Sequence, residues 1–354
     1  MVTEGSATTL LNYAKEANAS DLHIKTDSMP RVRIGGNLEI IDLEQPLTKE
    51  DVRDIELGIL GEESIARLKD TGSVNSVFST EDTRYRVNAY RDSRGDSLAI
   101  RVVPSSIMSP EMVGLHSDKV WQNIVSLETG LVLVTGETGS GKTSTIASLL
   151  EKINTTRSEH ILTLEDPIEY IYTDKMSMFS QREVGVNLIS YSEGIRESLR
   201  QDPDILSIGE IRDAETAEAA ITMAATGHLV FSTLHSKTSA EALDRYLSFF
   251  KPQDQERIKV GLATSTKYIL SQTLFSHREN YGRPMGIEVA NIGASSGIQN
   301  LIRKGETYQI RGQLQIERNK GSIALDQRLQ ELYENGAISI GEARAHAVDP
   351  SSIS

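Results

Sequence analysis

The sequence predicts an α/β protein in two domains. An α+β domain is expected over residues 1–105, a linker over 106–115, and a P-loop α/β domain with a helical C-terminal part over 116–354. Three observations carry this. A chain of 354 residues is too long for one ordinary core. Residues 104–110 are rich in Ser and Pro, the composition of a connecting segment. Beyond them, 131–135, 161–164, 205–208 and 229–234 are short, nearly continuous apolar runs separated by helical stretches. That is the pattern of parallel strands buried on both faces.

The elements follow in order. Leu10, Leu11, Ala14 and Ala17 recur at helical spacing over 8–19, and residues 20–24 then alternate as a strand. Residues 31–40 form two alternating halves around Gly35, Gly36 and Asn37, a hairpin signal. Thr48 with Asp51 makes a capping box, followed by Val52, Ile55 and Ile59 on one helical face. Strands are expected over 73–79, 84–91 and 97–103, the last closed by Pro104. Beyond residue 240 the pattern reads as helical: Leu325, Leu329, Leu332 and Tyr333 share a face, Gly336 caps it, and Ser339 with Glu342 forms another capping box.

Residues 130–143 read as strand, glycine-rich turn and helix start, the G-x-x-x-x-G-K-[ST] spacing of a P-loop. Gly136, Glu137, Thr138, Gly139, Ser140, Gly141, Lys142, Thr143 and Ser144 are the candidate nucleotide-binding residues. The glycines let backbone N–H groups wrap a polyphosphate. Lys142 reaches the β- and γ-phosphates, and the Thr143 hydroxyl is a Mg²⁺ ligand.

In open α/β sheets ligands sit beyond the carboxyl ends of the strands. There the chain offers Glu165, Glu210 and His235. ATP hydrolysis needs such groups: a carboxylate to orient or deprotonate water, an acceptor to hold Mg²⁺ or its waters, and a polar sensor of the γ-phosphate. No Asp closes the apolar run 205–208, so Glu210 carries the water-activating role alone, with Glu165 the candidate Mg²⁺ acceptor. His228 and His235 fall on opposite faces of a regular strand. His235 is the sensor candidate, and His228 is a further candidate for nucleotide or neighbour contact. In the first domain Arg84, Arg86, Arg91, Arg94 and Arg101 cluster in an acidic chain, which suggests an anionic target, and Arg84 and Arg86 share a strand face. Arg196 and Arg200 share a helical face.

Composition narrows the partners. Zero cysteines exclude disulfides, thiol catalysis and cysteine-ligated metals. No apolar run approaches the ~20 residues that span a bilayer, and the N-terminus lacks an export-signal pattern, so a cytoplasmic protein is expected. A net charge of −13 opposes non-specific attraction to nucleic acid or anionic lipid, so membrane association is expected only through proteins.

These motifs together resemble the type II/type IV secretion ATPase superfamily, in particular its PilT-type pilus-retraction ATPases and the DotB/TraJ-type ATPases of type IVB secretion and conjugation. The resemblance runs from Ala19-Ser-Asp-Leu-His-Ile24 and Tyr85-Arg-Val-Asn-Ala-Tyr90 through the P-loop to three further motifs. These are Ile161-Leu-Thr-Leu-Glu-Asp-Pro-Ile-Glu169, the region 200–213, and Thr226-Gly-His-Leu-Val-Phe-Ser-Thr-Leu-His235. It implies a homohexameric, Mg²⁺-dependent ATPase docked on the cytoplasmic side of an inner-membrane machine. It also implies a PAS-like N-terminal domain, a RecA-like C-terminal domain, and N-terminal arginines, here Arg86 and Arg101, that complete the ATP site. Residues 297–305 resemble the retraction motif Ala-Ile-Arg-Asn-Leu-Ile-Arg with Gly297 and Gln299 at two positions, which leaves a secretion role open beside retraction. Two rival readings are a RecA-like nucleic-acid translocase, opposed by the net charge, and a nucleotide-binding switch, opposed by the paired Glu165 and Glu210.

Overall fold

The computed structural model describes residues 6–80, 83–103, 106–115, 119–275 and 283–354. They form two compact units, 1–106 and 107–354. Pro104 and the expected start of the second domain at 116 lie outside the described residues. Of the expected linker, 107–115 groups with the second unit and buries Val113 and Leu115 there.

The first unit runs α1 (Ala7–Glu16), β1 (Asp21–Lys25), β2 (Arg31–Ile34), β3 (Asn37–Ile40), α2 (Lys49–Ile59), α3 (Glu62–Thr71), β4 (Ser73–Ser79), β5 (Arg84–Arg91) and β6 (Asp96–Val103). Its antiparallel sheet has the order β3-β2-β1-β6-β5-β4. Gly35 and Gly36 take φ of 57° and 94°, the left-handed conformations that a two-residue hairpin turn requires. The capping box forms as its residues predict: Asp51 N donates to Thr48 Oγ1 at 3.2 Å, and Thr48 N donates to Asp51 Oδ2 at 2.7 Å. Leu10 and Leu11 of α1 and Val52 and Ile55 of α2 then bury Leu22, Tyr85, Val87 and Ile100 on one face of the sheet.

Glu56 of α2 is buried beside Asp96, and burial pushes its carboxyl up to about 7. The folded state thus holds a proton that the unfolded chain releases from about pH 4.5. Stability from this group is lost as pH rises through that window and stays lost above about 7. Glu56→Gln is expected to stabilise the protein by roughly 1–2 kcal/mol at pH 8 and by little at pH 4. Urea melts at the two pH values check this, and an equal effect at both would contradict it.

The second unit contains α4 (Val120–Val125), β7 (Gly130–Gly136), α5 (Lys142–Thr156), β8 (His160–Glu165), β9 (Met178–Glu183), α6 (Tyr191–Ser198), β10 (Ile205–Ile208), α7 (Ala214–Ala225) and β11 (Leu229–Leu234). It continues with α8 (Ser239–Ser248), α9 (Pro252–Ser265), β12 (Thr266–Leu274), β13 (Met285–Asn291), α10 (Ser296–Lys304), α11 (Ile310–Ile316), α12 (Leu325–Glu334) and α13 (Ile340–His346). The sheet order is β13-β12-β7-β11-β10-β8-β9. Among the described strands of this sheet, the β12 and β13 pair is antiparallel and the others are parallel. Every residue of β7, β10 and β11 is buried, as strands covered by helices on both faces must be.

The helical reading beyond residue 240 is corrected by β12 and β13. Ser265 ends α9 and Thr266 begins β12 with no intervening turn residue, so no local signal marks the change. Both C-terminal expectations hold: α12 buries Leu325 and Leu329, and Ser339 and Glu342 form a capping box. Among the described residues no helix is long and apolar enough to cross a membrane.

Candidate active site

The loop after β7 is shaped by backbone that only glycine provides. Gly136 has φ 149°, and a Cβ there would lie 2.4 Å from Ser140 Oγ and 2.5 Å from the Gln272 carbonyl oxygen. Gly141, at φ 88°, precedes α5 without a side-chain cap, leaving first-turn N–H groups for an incoming anion. Lys142 Nζ donates to the Gly136 carbonyl at 2.8 Å and the Glu137 carbonyl at 3.0 Å. An ammonium has three donors, so the lysine holds the loop wound with one N–H to spare. Burial pushes its pKa down, and the carboxylates of Glu210 and Glu169 oppose that shift.

The other loop residues have separate tasks. Glu137 and Thr138 are exposed, and Glu137 pairs with Lys237 at 3.3 Å. Thr143 is the second residue of α5, and Ser144 Oγ shares a 2.8 Å hydrogen bond with Tyr170 Oη. One residue further on, Thr145 Oγ1 accepts from Gln272 Nε2 at 2.7 Å and ties α5 to β12.

The strand ends bring Glu210 and His235 together. Glu210 lies two residues beyond β10 and His235 directly follows β11, in register through Ile208 and Ser232. His235 Nε2 is 3.1 Å from Glu210 Oε1, and Arg212 donates to Glu210 Oε2 at 2.8 Å. Arg212 also approaches Asp166 at 3.8 Å. Glu165, the last residue of β8, is largely buried. Its Oε1 accepts from Thr163 Oγ1 at 2.7 Å and Gln181 Nε2 at 3.2 Å, and its Oε2 from Glu169 N at 3.3 Å. Burial pushes its carboxyl up, outweighing these bonds.

His228 is not brought to this cluster. It precedes β11, level with the start of β7, and its Nδ1 lies 3.2 Å from the Met223 carbonyl oxygen. The whole of β11 separates it from His235, so within this subunit it stands apart from the Glu210 and His235 cluster. Sequence reading also missed two partners. Arg212 orients Glu210, and the Glu-Ile-Arg spacing after an apolar run was its signal. Glu169 acts on Lys142 although it stands four residues beyond Glu165 in an irregular segment.

Within the first unit, Arg86 of β5 stands directly opposite Arg101 of β6, on the sheet face away from the helices. Arg101 Nε donates to Asp21 Oδ1 at 2.9 Å, with Asp21 its cross-strand neighbour on β1. Arg84 shares the face, whereas Arg91 is tied to Asp96 at 2.7 Å. Arg196 is in an exposed pair with Glu215. Among the described residues no group of three or more acidic or histidine side chains could hold a metal ion unaided. A divalent cation still fits the chemistry beside α5, because Glu165, Glu169 and Glu210 outnumber Lys142 and Arg212.

Comparison with known proteins bears on this geometry. Residues 3–334 match the family described as type II/IV secretion system protein. The type IV pilus retraction ATPase PilT of Pseudomonas aeruginosa is 36% identical over 97% of this chain and 98% of its own. The crystal structure of the pilus retraction motor PilT with bound ADP superposes with a TM-score of 0.87 at 36% identity, covering 97% of this chain and 98% of that one. That of the Legionella pneumophila ATPase DotB gives 0.82 at 24% identity, covering 96% and 94%, a likeness of fold. The chain belongs to the type II/IV secretion system protein family and is an ATPase of the type IV pilus and secretion kind.

Proposed function

We propose that the chain is a homohexameric motor that couples ATP hydrolysis on the loop at residues 136–144 to mechanical work in a type IV pilus or secretion machine. One observation carries this reading. The Lys142 ammonium, wound into its loop, is coupled across the strand ends to Glu210, which His235 and Arg212 hold in place. On this reading Lys142 uses its third N–H to neutralise the β- and γ-phosphates. Glu210 Oε1 orients the attacking water and takes its proton, with His235 as γ-phosphate sensor. Mg²⁺, which neutralises phosphate charge when bound, would be held through the Thr143 hydroxyl and Glu165. The first unit acts as a PAS-like domain and the second as a RecA-like core. The ring docks on the cytoplasmic side of an inner-membrane machine through protein partners, and not on nucleic acid.

The paired Arg86 and Arg101 support a site completed by the neighbouring subunit. Arg86 and Arg101 stand opposite each other on a face that Arg84 shares, and guanidinium groups gathered in this way suit an anionic ligand, for which Arg101 would exchange its pairing with Asp21. Arg86→Ala and Arg101→Ala are expected to lose hydrolysis by ~10³-fold while still assembling. Sedimentation with phosphate release tests this, and a fully active monomer or parental rates in both variants would contradict it.

A further inference from the structure

Tyr191 is the first residue of α6, where the Ser190 hydroxyl caps the helix by accepting from Glu193 N at 3.3 Å. Its ring is half-buried against an apolar cluster that includes Leu164, Leu188, Ile195 and Ile208. The hydroxyl reaches past this packing to the strand ends. A Cβ placed on Gly209 would lie 2.6 Å from Tyr191 Oη and 3.3 Å from the Leu164 carbonyl oxygen. Tyr191 Oη is therefore seated on the residue before Glu210, close to the residue before Glu165, and a side chain at 209 would push it away.

The charges around the hydroxyl define its role. Burial first, and then the carboxylates of Asp166, Glu210 and Glu165, push its pKa up against the Arg212 guanidinium. The group keeps its proton, so it is a donor that faces acceptors. Among the described residues no hydrogen bond occupies it. Glu210 is already held from two sides, with His235 Nε2 at 3.1 Å from Oε1 and Arg212 at 2.8 Å from Oε2. What is not yet held is the water. A water that gives one proton to Glu210 keeps two lone pairs, and a donor on one of them fixes the direction of the other.

We propose that Tyr191 is a further catalytic residue of the ATP site, whose hydroxyl donates a hydrogen bond to the attacking water and so aims its free lone pair at the γ-phosphate. The inference rests on the ATP reading above and adds the residue that directs its nucleophile. In the step it serves, the water oxygen bonds to the γ-phosphorus and the bond from that phosphorus to the bridging oxygen breaks. The electron pair leaves with ADP, one water proton passes to Glu210, and the tyrosine proton stays where it is.

Single-turnover hydrolysis and ATP affinity, both with Mg²⁺, are measured on the full-length protein, on Tyr191→Phe, on Glu210→Gln and on the two combined. Tyr191→Phe keeps the ring and its packing, so ATP affinity is expected within about twofold of the parent while hydrolysis slows at least about tenfold. On the Glu210→Gln background the same change should cost less than about twofold, because the water it aims is no longer held. Parental hydrolysis in Tyr191→Phe with Glu210→Gln impaired would overturn the inference and leave the ATP reading standing. A loss confined to ATP affinity, or the same fold-loss on both backgrounds, would also overturn it. Parental hydrolysis in Glu210→Gln would remove the inference together with the role of Glu210 on which it rests.

Discussion

Lys142→Ala is expected to reduce ATP turnover by roughly 10³-fold, with loss of tight nucleotide binding. The side chain does two things that alanine cannot. It ties the Gly136 and Glu137 carbonyls into the wound loop, and it places a positive charge among Glu210 and Glu169. Removing it takes away the protein's own positive charge between these carboxylates and the polyanion, so ground-state binding suffers along with the chemical step. Phosphate release at saturating Mg²⁺-ATP, with nucleotide affinity measured separately, checks both effects. Turnover at the parental rate would show that the loop is not where ATP is hydrolysed.

Glu210→Gln should behave differently. The amide is nearly isosteric and leaves Lys142 and the loop untouched, so ATP binding should persist while hydrolysis falls by roughly 10²-fold or more, the scale of a lost general base. The expected signature is a depressed kcat with little change in affinity. Single-turnover experiments with preloaded ATP separate the two quantities. Normal hydrolysis in this variant would shift the water-activating role to Glu165 or Glu169, the other carboxylates of the site.

Much of the fold was legible because its signals are local. Thr48 with Asp51, Ser339 with Glu342, and the hairpin at Gly35 and Gly36 each specify their geometry within a few residues. The four buried parallel strands announce themselves as apolar runs. β12 and β13 do not, because β12 follows α9 without punctuation and β13 carries the buried Glu288, whose burial depends on Ser239 donating to it from α8. The site divides in the same way. Lys142 and the glycines are fixed by spacing, and Glu210 and His235 by strand ends. The influence of Glu169 on Lys142 depends on the path of the irregular chain after β8, which no periodicity encodes. His228 shares a motif with His235 yet stands at the other end of β11, because motif membership says nothing about which end of a strand a residue occupies. Gly297 is a further departure with a local consequence: a Cβ there would lie 2.5 Å from Gln313 Nε2, the end of a flexible side chain, so the alanine of the related motif would require the Gln313 amide to shift.

In the proposed motor each ATP site joins the loop of one subunit to the arginines of the next. The most direct measurement of this arrangement is ATP turnover in mixtures of Lys142→Ala and Arg101→Ala subunits, each inactive alone. A Lys142→Ala subunit still presents Arg101, and an Arg101→Ala subunit still has an intact loop, so mixed rings should recover turnover that is maximal near equal proportions. Mixtures shown to exchange subunits yet remaining as inactive as their components would contradict the account.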